Sequence, residues 1–301
     1  MPRVYVKPYS EFRPDEYIRA RSKEEVVSLL KQYGEAARVV GAGITIHEMG
    51  VLGFLPQVKK LIDVRAVGLD YITVSGQWIK VGGSTTVGNM ADHEIFRNQP
   101  IYQAVSEAAD TFPLQVANAA TLAGNICSAV PIVSIPPVLM ALDAQVILLG
   151  SSGERILPVE GLYEDYLITK MKPDEFLTEV QIPVKEGRGA SVYLAEKTVA
   201  ADYPTVSMSV SVFLDNSGKV KDCRIAVGSV GRTARRLPEA EKTLRGEKME
   251  KQSYAKAGEA AAKEIDPSAD LRASHEYRRV LTKYLTKKAL ESVANKLGVE
   301  C

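Results

Sequence analysis

The stretch ATLAGNICSAVPIVSIPPVLMALDA, residues 120–144, sets Thr121, Leu122, Ala123, Gly124 and Asn125 ahead of two adjacent prolines and an apolar run. A strand gains little by burying side chains this small, whereas a turn built from them lets another group come against the main chain. Ser134 stands where a helix N-cap is expected, with Pro136 and Pro137 in the first turn, where missing backbone donors cost little. An earlier stretch, GAGITIHEMG, makes a similar turn after the short apolar run ending at Val39 and Val40. Its Gly41 and Gly43 fit the start of a dinucleotide loop, but Ile46 occupies the place of the third glycine. Two such turns supply converging N–H groups, and such groups, aided by a helix N-terminus, suit a pyrophosphate.

A chain of 301 residues exceeds what one hydrophobic core usually serves, so two or three subdomains are expected. Ser22 with Glu25 makes a capping box for a helix over about 22–33, whose apolar face is Val26, Val27, Leu29 and Leu30. KLIDV, YITVSG and WIKVGG read as strands, the last two joined as a hairpin at Gly76-Gln77. Helical patterns follow near 86–96 and 101–110, and AQVILLG and RILPVEGLYED flank the turn SSGE. After KMKPDE come the strand-like runs FLTEVQIPV, ASVYLAEKTV, TVSMSVSVFLD and KDCRIAVGSV, the last two forming a hairpin. From about 233 the chain is helical, with Val280, Leu281, Tyr284, Leu285, Leu290, Val293 and Leu297 expected on one buried face. The class is α+β, with a boundary between about 172 and 188.

Lys and Arg number 38 against 37 Asp and Glu, which gives no global field for nucleic acid, and the charged helical tail mixes both signs. Cys127, Cys223 and Cys301 are scattered and form no CxxC, arguing against a disulfide framework or a zinc site and for a reducing compartment. The N-terminus lacks the apolar core of a signal peptide and no run reaches a membrane span, so cytoplasmic residence is expected. His47 with Glu48 hints at acid–base chemistry and Cys127 at redox chemistry. A lone histidine is more often simply hydrogen-bonded, and a lone cysteine a small hydrophobe.

Three stretches together resemble the FAD-binding medium subunit of the xanthine dehydrogenase and carbon monoxide dehydrogenase family of molybdenum hydroxylases. ARVVGAGITI is similar to that family's ARLLAGGTDL, LIDVRAVGLDYI...WIKVGGSTT to LIDL...LRIGALTT, and ATLAGNICSAVPIVSIPPVLMALDA to ATLGGNLANASPAADTAPALLALDA. The resemblance implies an FAD-binding region of the vanillyl-alcohol oxidase (PCMH) type over 1–178, with subdomains of about 1–58 and 59–178. Over 188–301 it implies a CO-dehydrogenase-flavoprotein-like domain of a three-stranded antiparallel sheet plus helices. It further implies FAD on this chain, with its pyrophosphate between Gly41, Ala42, Gly43, Ile44 and Thr45 on one side and Thr121, Leu122, Ala123, Gly124 and Asn125 on the other. Leu177 would lie near the isoalloxazine, although a strand-core leucine is an equal reading. Ser134 takes the place of a flavin-holding aspartate and Lys197 that of the family's lysine; Asp202 reads as structural. The partners implied are a molybdopterin-binding large subunit and a small subunit with two [2Fe-2S] clusters, in a heterotrimer that delivers electrons to NAD, quinone, ferredoxin or oxygen.

Ala42 and Ala123 replace glycines of the family pattern, and Ile44 replaces a polar residue. Alanine resists positive φ, so these turns must run at negative φ or the cofactor is displaced or absent. Two further readings stay open: a free-standing flavin oxidoreductase of the same fold, and a structural subunit whose flavin site has degenerated.

Overall fold

The computed structural model describes residues 12–200 and 202–299, so Cys301 and the first eleven residues lie outside the described part. The chain opens with β1 (Glu16–Arg19), α1 (Lys23–Tyr33), β2 (Ala37–Val40), α2 (Ile44–Val51) and β3 (Lys60–Asp63). Ser22 caps α1, its hydroxyl accepting from the Glu25 N–H at 3.1 Å while the Glu25 carboxylate accepts from the Arg21 N–H at 2.8 Å. The three strands form a parallel sheet in the order β1-β3-β2, and Val26 and Leu30 of α1 pack against Ile62. Because β3 is the middle strand of this sheet, the first lobe extends through 63 rather than ending at the expected 58.

The second lobe begins with the hairpin of β4 (Ile72–Ser75) and β5 (Trp78–Gly82), which turns at Gly76 and Gln77 as the sequence indicates. The region expected as one helix over 86–96 is two, α3 (Val87–Asp92) and α4 (Glu94–Asn98), because extended His93 ends the first and caps the second through Nδ1. Next come α5 (Gln103–Ala109), α6 (Leu114–Ala117), α7 (Leu122–Cys127) and α8 (Ile135–Ala141). Then β6 (Gln145–Gly150), β7 (Gly153–Pro158), the small hairpin β8 (Tyr163–Asp165) and β9 (Ile168–Thr169), and β10 (Phe176–Pro183) follow. The main sheet is ordered β4-β5-β10-β6-β7. Its central strand β10 runs to 183, inside the joint of about 172–188 read from the sequence and past the 178 implied by the resemblance, because it pairs with β5 on one side and β6 on the other. Phe96, Leu122, Ile126, Leu139 and Val180 share the core beneath it.

The remaining chain forms β11 (Gly189–Glu196), β12 (Val206–Leu214), β13 (Val220–Gly228), β14 (Arg235–Arg236), α9 (Pro238–Lys242), α10 (Lys251–Glu264) and α11 (His275–Lys296). The three long antiparallel strands gain a two-residue fourth, β14, paired with β13. One face of this sheet is covered by α11 through Val210, Val212, Leu285 and Val293, and α10 packs against α11. The serines that alternate along β12 are buried too, and Ser211 Oγ donates to the Ala141 carbonyl of α8 at 2.6 Å. The expected face of α11 is only partly right: Leu281, Leu285, Leu290 and Val293 are buried, but Val280 and Tyr284 remain 63% and 50% exposed.

Candidate functional site

The first turn leaves β2 at Gly41, passes through Gly43 at φ +79° and enters α2. Only glycine takes that conformation without strain. Among the described residues nothing accepts from the N–H groups of Ala42, Gly43, Ile44 and Thr45; the first intrahelical bond comes from His47 N–H to the Gly43 carbonyl. The turn therefore presents a row of backbone donors beside the positive end of a helix dipole, as an anion seat requires. Ala42 is not among the positive-φ residues and neither is Ala123, so the two replacements of glycine carry no backbone strain.

The second turn is built differently from expectation. Thr121 caps α7, accepting from the Gly124 N–H at 3.1 Å, and its carbonyl accepts from Asn125. Leu122 N–H donates to the Thr85 carbonyl and Ala123 N–H to the Gly83 carbonyl, each at 2.9 Å. These four N–H groups are thus consumed within the protein, and donor convergence from both sides is corrected: the free donors belong to the first turn. What the second turn provides is closeness. A Cβ on Gly41 would lie 2.8 Å from Thr121 Cγ2, so the two turns touch, while a Cβ on Gly124 would meet only Thr121 Oγ1 and otherwise open space. Gly124 has ordinary φ, so only space accounts for it.

A third segment that sequence reasoning passed over lies beneath. Gly83 has the Leu177 carbonyl where its Cβ would be, at 2.7 Å, and Ala123 Cβ at 3.3 Å. Next to it the hydroxyl of Ser84 is buried without a hydrogen-bond partner, as is Oδ1 of Asn125. The available signal was the Gly-Gly-Ser run that ends WIKVGGS.

Beside the first turn a groove of about 340 Å³ is lined by Gly41, Ala42, Gly43, Tyr17, His47 and Arg65. Arg65 is held there by Asp63, with Nε to Oδ1 at 3.0 Å and Nη2 to Oδ2 at 2.8 Å, and by the Tyr17 hydroxyl at 3.1 Å. Burial would lift the Asp63 pKa, but the hydrogen bonds from Arg65 outweigh it and hold the carboxyl below the ordinary value. A guanidinium paired with Asp63 therefore lines the same groove as the free N–H row. Nothing in the sequence marked Arg65 except its place after a strand.

The other expected site residues form a separate cluster. Ser134 makes no side-chain cap to α8; its Oγ lies 3.3 Å from Thr111 Oγ1 instead. Lys197 donates from Nζ to the Thr111 carbonyl at 3.0 Å, which joins the two through Thr111. Partial burial pulls the Lys197 pKa below its ordinary value, against the opposing charge of Asp202. Leu177 is 3% exposed and belongs to the core, its carbonyl rather than its side chain touching the glycine segment. Removal from water pushes the Cys127 thiol up to about 12, so it is a poor nucleophile at neutral pH. Among the described residues no cluster of three His, Cys, Asp or Glu could hold a metal, and no helix is long and apolar enough to cross a membrane.

The donor row, the bare Cα position at Gly124, and the orphaned Asn125 Oδ1 and Ser84 Oγ fit a dinucleotide cofactor that brings both anionic oxygens and polar groups. Comparison with known proteins agrees. Residues 10–185 match the FAD binding domain in molybdopterin dehydrogenase, and residues 191–293 match the CO dehydrogenase flavoprotein C-terminal domain. The chain is 27% identical to the glyceraldehyde dehydrogenase medium chain of Sulfolobus acidocaldarius, covering 92% of this chain and 98% of that one. It is 30% identical to subunit alpha of the 6-hydroxypseudooxynicotine dehydrogenase complex of Paenarthrobacter nicotinovorans, covering 91% and 93%. The solved carbon monoxide dehydrogenase from Hydrogenophaga pseudoflava superposes with a TM-score of 0.90 at 27% identity, over 95% of this chain and 99% of that one.

Proposed function

Because the chain belongs to the family of FAD-binding medium subunits of molybdenum hydroxylases, flavoprotein components of multi-subunit oxidoreductases, we propose that it carries electrons from the [2Fe-2S] clusters of a small partner subunit to an external acceptor. In this reading a molybdopterin-binding large subunit oxidises the organic substrate. Bound FAD supplies the redox chemistry; the chain supplies position and electrostatics. The N–H groups of Ala42, Gly43, Ile44 and Thr45 would receive the pyrophosphate, with the Asp63-paired guanidinium of Arg65 on the same wall. Gly41 lets Thr121 of the second turn come against the first, Gly124 leaves space beside it, and Asn125 and Ser84 offer polar contacts.

The observation that carries the reading is the unspent donor row of the first turn, pressed against Thr121 of the second. A flavin site degenerated through Ala42 and Ala123 is disfavoured, since both sit at negative φ. Purified from its native source, the protein is expected to bring down two further chains, one with iron and one with molybdenum. Alone it should show only weak activity with artificial dyes. Robust turnover of an organic substrate by the single chain would favour the free-standing oxidoreductase and sink the proposal.

A further inference from the structure

We propose that the pocket where the C-terminal domain meets the loop after α7 binds a small oxyanion, a phosphate or a carboxylate. The pocket encloses about 290 Å³, and its wall includes Tyr166, Ser229, Arg232, Asp270, Arg272 and Arg278. This site is separate from the glycine turns and does not rest on the flavin reading.

The wall is rich in donors and poor in acceptors. Arg278 is only 2% exposed. Its Nη1 donates to the carbonyls of Thr205, at 2.6 Å, and Ser229, and its Nη2 to Asp270 Oδ1 at 2.6 Å. Its Nε has no acceptor, and the buried hydroxyl of Ser229 has no partner either. Ser229 is held at φ +65°, a conformation that costs a serine strain, by the bond from its N–H to the Pro131 carbonyl at 2.9 Å. Arg272 makes no side-chain hydrogen bond among the described residues, and its ion pair with Asp202 is loose at 3.6 Å. Arg232 uses Nε and Nη2 on Asp165, leaving Nη1.

Asp270 is the one carboxylate on the wall, and its Oδ1 is already committed to the N–H groups of Arg272 and Ala273 as well as to Arg278. Buried donors left without acceptors are costly, and guanidinium groups in this arrangement match the geometry of a carboxylate or a phosphate. The aspartates that anchor Arg232 and Arg272 stand off the wall, so the charge facing the pocket is positive.

The test is calorimetric titration of the full chain with inorganic phosphate and, separately, with succinate, at constant ionic strength and with or without excess FAD. Saturable one-to-one binding that persists with FAD present is expected, and the stronger of the two titrants identifies phosphate or carboxylate as the ligand group. Arg272→Gln should weaken it at least tenfold with circular dichroism unchanged. Ser229→Gly, which removes the hydroxyl while relieving the left-handed backbone, should weaken it without lowering Tm. Arg278 is left intact because it ties two carbonyls. No saturation by about 10 mM of either anion, parent-like binding in both variants, or binding abolished by FAD would each overturn the proposal; the last would put the anion at the glycine turns.

Discussion

Gly43 and Gly124 are glycine for different reasons, and the difference can be measured. Gly43 sits at φ +79° with its nearest would-be Cβ contact at 3.6 Å, so Gly43→Ala meets strain of about 1–2 kcal/mol but no collision. Gly124 lies in a short helix at ordinary φ, and its missing side chain would meet only Thr121 Oγ1 and otherwise open space. Valine there should leave the fold nearly intact yet reduce FAD affinity well over tenfold, about 1.4 kcal/mol or more. Ala123→Gly should bind FAD as the parent does. Flavin fluorescence titration with circular dichroism as folding control reads both; parent-like FAD affinity in a folded Gly124→Val would mean that the cofactor does not lie against this turn. The sequence identified both turns but not which one keeps its donors, because the acceptors that consume those of Leu122 and Ala123 are carbonyls of Thr85 and Gly83, some forty residues earlier.

At the scale of elements, local signals were legible and tertiary ones were not. The Ser22 cap and the Gly76-Gln77 hairpin are short-range chemistry and stand in the structure as read. The buried face of α11 was misread because apolar spacing alone selects Val280 and Tyr284, whereas the helix buries Arg278, Thr282 and Thr286. Those polar side chains can go inside because they find main-chain acceptors: Thr282 Oγ1 donates to the Arg278 carbonyl at 2.8 Å and Thr286 Oγ1 to the Thr282 carbonyl at 2.7 Å. The link between α8 and the C-terminal sheet gives a prediction of its own. Asp143, just past α8, pairs with Lys185 at 2.8 Å and with Arg224 of β13 at 2.7 Å. Burial would raise its pKa, but these partners hold it below the ordinary carboxylate value. A carboxyl with a depressed folded-state pKa stabilises the fold above about pH 4 and loses that contribution as pH falls through the folded value. Asp143→Asn keeps the positive-φ backbone acceptable and should cost about 1–3 kcal/mol at neutral pH, measured by urea denaturation. The gap from the parent should narrow as the pH drops below about 4; a gap independent of pH would assign the loss to packing.

On the scale of the whole molecule, the first two lobes meet at the paired glycine turns. A parallel three-stranded lobe supplies the donor row, a mixed lobe closes on it through Thr121, and the C-terminal sheet packs beneath α8. The resemblance legible in three stretches of sequence extends over the length of both matched domains. The most direct measurement is acid precipitation of the purified or reconstituted chain, with the flavin quantified in the supernatant. The account predicts about one equivalent of FAD per chain, released without covalent attachment because neither turn, 41–45 or 121–125, contains a histidine or cysteine. A colourless protein that also fails to take up added FAD would contradict it.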